Sequence, residues 1–118
     1  MRKYLDMIIV AAAFLLPQFA LAQSGELKVM SYNIRLGSAN DGTNSWVYRC
    51  GATIEMLEDQ KPDVFGVQEA LKAQIDLLEE FADNYDYVGV GRDDGKKDGE
   101  YMAIFWNKKA VKLMDWGT

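Results

Sequence analysis

Two oxygen-bearing side chains are placed where they could do chemistry. Asn33 closes the alternating stretch Leu27–Ile34, and Glu69 follows the nearly all-apolar run Asp63–Gln68. In open α/β sheets, polar groups at the carboxyl ends of neighbouring parallel strands face one crevice. If these two strands are adjacent, an amide oxygen and a carboxylate converge at the sheet rim. Such hard oxygen donors suit Mg²⁺, which binds through one or two carboxylates and keeps several waters. Each residue also has a plain structural explanation. An asparagine at a strand end turns the chain, and a glutamate opening a helix complements its dipole. Spacing alone favours the structural explanation for both.

The elements that must position these residues are legible as periodicities. Leu27, Val29, Ser31 and Asn33 share one face of a strand. Gly37 to Ser45 is a polar, glycine-bearing loop. Trp46, Cys50, Ile54 and Leu57 recur at helical spacing behind Asn44 or Ser45 as N-cap, and the helix must stop before Pro62. Asp63–Gln68 suits a strand buried on both faces. Leu71, Ile75, Leu78 and Phe81 mark a second helix whose other face is acidic. Tyr87–Val90, Tyr101–Trp106 and Val111–Trp116 complete the expected strands, with the charged loop Arg92–Gly99 between the first two. The βαβ opening predicts an α/β fold. Strands apolar on both faces need layers on both sides, and two helices are few for that. We therefore expect the sequence to be the front part of a longer, apparently truncated domain.

Composition excludes several chemistries. The 118 residues hold no histidine and one cysteine, Cys50. A Ser-His-Asp or Cys-His pair, a His-ligated zinc site and an internal disulfide are all absent from them. Hydrophobic residues at 49% and charged residues at 26% argue against disorder. Gly89-x-Gly91 lacks the third glycine and the following helix of a dinucleotide fingerprint.

Met1-Arg2-Lys3, the apolar run Met7–Leu16 and Ala20-Leu21-Ala22 form the three parts of a secretory signal peptide. We expect residues 1–22 to be removed and residues 23–118 to form the mature portion, secreted or periplasmic and without a membrane anchor. Cys50 would then be buried on its helix face. Cleavage takes away Arg2, Lys3 and Asp6 and moves the formal charge from −5 to −6. That balance gives no strong nucleic-acid signal, because net negative charge repels a polyphosphate backbone.

Taken together, the ordered motifs are more specific. Ser31-Tyr32-Asn33-Ile34-Arg35 is followed by Asp41-Gly42 with Trp46 and Arg49, and then by Pro62-Asp63 through Gln68-Glu69. Gly91–Gly95 and Gly99–Phe105 come next. The series resembles the amino-terminal part of the endonuclease/exonuclease/phosphatase superfamily, in particular its secreted bacterial branch, from about Leu27 to Thr118. The resemblance implies a four-layer α/β sandwich, two mixed sheets flanked by helices. It also implies Mg²⁺- or Mn²⁺-assisted hydrolysis of a phosphoester whose type the sequence does not choose.

On that resemblance Glu69 is a metal ligand and a catalytic residue. Asn33 lies beside the metal, as a second ligand or as the group that orients phosphate or water. Arg92 and Glu100 are weaker substrate-binding candidates, and Arg49 either anchors the Asp41 loop or is a solvated helix residue. The family's downstream histidine, Asp-x-Asn segment and Asp-His pair have no counterpart in these residues. General-base help is worth about 10²–10⁴-fold in rate, so the chain alone is expected to be inactive or nearly so. The alternative is a non-catalytic binding module on the same scaffold. Oligomeric state is silent.

Overall fold

In the computed structural model, residues 25–118 are described; the expected signal peptide at residues 1–22 and its cleavage point lie outside them. The elements run β1 (Val29–Asn33), a 3-10 turn (Gly42–Asn44), α1 (Trp46–Gln60), β2 (Val64–Ala70), α2 (Lys72–Phe81), β3 (Tyr85–Val88) and β4 (Tyr101–Asn107). They form one mixed sheet of order β1-β2-β4-β3, with β1 parallel to β2 and the other pairs antiparallel. β1 and β2 are therefore adjacent, with Asn33 opposite Gln68. Lys61 ends α1 in a left-handed conformation, and its N–H bonds the Leu57 carbonyl. Pro62 follows, and its ring disfavours helix in the residue ahead of it.

One face of the sheet is filled. Phe65 and Val67 of β2 and Tyr101, Ala103 and Phe105 of β4 are buried there with Ile34 and with Ile75 and Leu78 of α2. Trp46, Ile54 and Leu57 of α1 pack against the same cluster. Phe65 stacks on Phe105 at 4.8 Å, and Tyr87 lies against Phe105 at 5.1 Å. Such offset aromatic contacts add about 0.5–1.5 kcal/mol to area burial.

The opposite face is open. Val29, Met102 and Ile104 point to it and are 65%, 77% and 51% exposed. The strands predicted as apolar on both faces are thus covered on one only, and the second sheet of the implied sandwich is not among the described residues. Val111–Trp116, expected as a fifth strand, is not one. Both neighbours of β4 are already taken by β2 and β3. The segment instead contributes Leu113, Asp115 and Trp116 to a cleft over the open face. Cys50, expected to be buried, is only partly covered.

Candidate functional site

Asn33 is held at the rim of the open face by ordinary pleating, on the same side as Ser31 and Val29. Regular alternation after Gln68 would send the next residue to the helix side. Glu69 escapes it. The β2–β4 register shifts between Val67 and Ala70, and Glu69 sits at φ 60°. A bulge of this kind re-aims one side chain, and a left-handed non-glycine residue costs of order 1–3 kcal/mol, which clusters at functional sites. The result is direct contact: Asn33 Nδ2 donates to Glu69 Oε1 at 2.8 Å.

The next turn of chain completes the arrangement. Arg35, also left-handed at φ 64°, donates its backbone N–H to Asn33 Oδ1 at 2.9 Å. The Leu36 N–H reaches Glu69 Oε2 at 3.4 Å. The Arg35 guanidinium forms a two-pronged pair with Asp41 at 2.8 and 2.9 Å. That hydrogen bond holds the Asp41 carboxyl below the usual aspartate range, with the guanidinium charge acting in the same direction against some desolvation. Behind the turn, Arg49 donates to the carbonyls of Asn44 (2.6 Å) and Ile34 (3.3 Å) and lies over the Trp46 ring. Of its two readings, loop anchor is the one the structure gives.

Both weaker candidates reach the same cleft. It measures about 790 Å³ and is lined by Asn33, Glu69, Arg92 and Glu100 with apolar Val88, Met102, Ile104 and Trp106 among others. The bridge between Gly91 and Tyr101 brings the ends of the charged loop together. There Arg92 Nη1 donates to Glu100 Oε2 at 3.2 Å. Gly91 is required at that point, because a Cβ would lie 2.3 Å from the Asp98 carbonyl oxygen.

Among the described residues, no group of three or more carboxylate, thiol or imidazole side chains is arranged to hold a metal. The donors present still fit a hard cation. Glu69 offers one carboxylate facing a cleft, each oxygen keeping lone-pair capacity beyond its single N–H contact, and Mg²⁺ binds through as few as one carboxylate plus water. The Asn33 Oδ1 accepts one N–H, from Arg35, and keeps a second lone pair, while its Nδ2 holds Glu69.

Sequence reasoning missed Gln74. It is 1% exposed and places three hydrogen bonds behind the site. Its only signal was a polar residue beside Ile75 and Leu78 in the apolar stripe of α2.

No family model and no curated protein matches this chain. Solved structures do. A mannosyl-6-phosphatase of Bacteroides thetaiotaomicron is 38% identical with a TM-score of 0.66, covering 71% of this chain and 32% of that one. An endonuclease/exonuclease/phosphatase of Bacteroides vulgatus is 35% identical with a TM-score of 0.68, covering 75% and 33%. TDP2 of D. rerio, solved with a single-strand DNA product, is 25% identical with a TM-score of 0.59, covering 75% and 32%. This chain spans about a third of the length of each.

Proposed function

Because this chain belongs to the endonuclease/exonuclease/phosphatase superfamily, we propose that it supplies the Glu69 side of a metal-assisted phosphoester-hydrolysing centre. The observation that carries this reading is the Asn33–Glu69 contact at the carboxyl ends of two parallel strands, maintained at the expense of a left-handed glutamate. A helix-capping glutamate has no need of such backbone strain.

Glu69 would hold Mg²⁺ or Mn²⁺, whose chemistry there would be to neutralise charge on a phosphoryl oxygen. The protein's own groups do the positioning. Asn33 fixes the Glu69 carboxylate through one N–H and keeps its second N–H for a substrate oxygen. Arg35 N–H and Leu36 N–H set the rotamers of both side chains. Arg92, paired with Glu100 at the cleft wall, offers a guanidinium to the phosphate.

With no histidine, the 118 residues contain no imidazole base, so this chain alone binds the cation but turns over phosphoesters very slowly. The substrate proposed is a small phosphate ester outside the cytoplasm rather than a nucleic acid. The sugar-phosphate activity in the mannosyl-6-phosphatase's name, the acidic balance and the signal-peptide pattern of residues 1–22 support that choice.

Mannose 6-phosphate and bis(p-nitrophenyl) phosphate, assayed with and without Mg²⁺ on the protein carrying these residues, test the reading. Slow Mg²⁺-dependent turnover that is lost in Glu69→Gln supports it, whereas robust Glu69-dependent turnover by this chain alone overturns its expected near-inactivity. Turnover indifferent to both chelator and this substitution contradicts it.

A further inference from the structure

We infer that Gln74 is the positioning residue of this site, acting through the Arg35–Gly37 turn on Glu69 and Asn33. The inference rests on the reading of Glu69 as the metal-holding carboxylate. Gln74 is the third residue of α2 and is 1% exposed. Its Oε1 accepts from Leu71 N–H and from Gly37 N–H, both at 2.9 Å. Its Nε2 donates to the Arg35 carbonyl at 2.9 Å.

The Leu71 bond alone is half of a capping box and is explained by the helix terminus. The other two are not. They cross 37 and 39 residues to grip the turn that follows β1. Arg35, the strained residue of that turn, directs its N–H to Asn33, and Leu36 directs its N–H to Glu69. One buried carboxamide thus ties the start of α2, immediately after Glu69, to the turn whose two N–H groups orient both site side chains.

Gly37 shows how closely the parts fit. A Cβ there would lie 2.8 Å from the Gln74 carboxamide carbon. An apolar side chain of similar volume at position 74 would fill the space and release the turn. Groups that orient metal-holding side chains from behind typically change metal affinity by about 10–100-fold.

The test compares wild type, Gln74→Met and Gly37→Ala by Mn²⁺ binding and, without metal, by hydrogen exchange of the Leu36 amide and the Asn33 side-chain amide. Gly37→Ala disturbs the same hydrogen bonds with Gln74 intact, so it decides the matter if Gln74→Met does not fold. The expected result is faster exchange at both groups, Mn²⁺ affinity lower by about tenfold or more, and unchanged β-sheet dichroism. Unchanged exchange and affinity in folded variants overturns the inference, as does unfolding of both Gln74→Met and Gly37→Ala, which makes Gln74 a structural residue only. Absence of Mn²⁺ binding by wild type defeats the metal reading, and the exchange data alone then decide whether Gln74 positions Asn33.

Discussion

Asn33 and Glu69, 36 positions apart in the chain, meet at 2.8 Å because β1 and β2 lie side by side in parallel and β2 bulges at its end. The carboxylate accepts from Asn33 on one oxygen and from Leu36 N–H on the other. That is a pre-oriented acceptor pair at the edge of an open cleft.

Asn33→Ala removes a partner from Glu69 and from Arg35 N–H together. It should destabilise the fold by about 1–2 kcal/mol and weaken Mn²⁺ binding, because Glu69 is no longer held. Urea unfolding and Mn²⁺ titration check the two effects separately. Asn33→Ser, which restores a short polar group, should recover part of the stability.

The Arg35–Asp41 pair predicts an acid dependence. Asp41 titrates lower in the folded chain than in the unfolded one because Arg35 hydrogen-bonds its charged form. Its contribution is therefore present above the ordinary aspartate value of about 4 and is lost as pH falls through the lower folded value. Asp41→Asn should be less stable than wild type at pH 7, and the difference should close under acid. Arg35 is exposed and Asp41 only half-buried, so the difference is small and shrinks with salt. Thermal melts across pH 2–7 at two ionic strengths measure it.

Tyr101 gives the opposite limb. It is buried, its hydroxyl donates to the Lys96 carbonyl at 2.8 Å, and burial raises its pKa. Folded Tyr101 keeps its proton where the unfolded chain releases it, so its contribution is full below about pH 10 and declines above. Tyr101→Phe should cost about 1 kcal/mol at pH 7. The penalty should narrow in melts carried above pH 10.

Adjacent residues of β4 should respond very differently. Phe105→Ala, on the filled face, should cost about 3–5 kcal/mol. Ile104→Lys, on the open face, should stay within about 0.5 kcal/mol and reduce the binding of an apolar dye to the sheet. Denaturant titration and dye fluorescence distinguish the two outcomes.

Much of this arrangement was legible in residue order. The stripes Trp46-Ile54-Leu57 and Ile75-Leu78 name the helix faces that pack on the sheet, because burial on one side imposes a 3.6-residue period. Strand ends were less legible. The third strand was expected at Tyr87–Val90 and lies at Tyr85–Val88, its register set by pairing with Ile104–Asn107. Val111–Trp116 has strand-like residues but no partner, since a strand is defined by its neighbour and not by its own alternation. Asn33 and Glu69 could be named from strand ends. Their mutual orientation could not, because it depends on a bulge and two left-handed residues that no alternation encodes. Gln74 was hidden because a buried glutamine in an apolar stripe declares its role only through its partners.

The most direct test is Mn²⁺ binding by electron paramagnetic resonance, comparing this chain with its Glu69→Gln variant under conditions where both show the same circular dichroism. The account predicts saturable binding at one site in wild type and a loss of affinity of about 100-fold or more on substitution. Equal binding by the two folded proteins would contradict it.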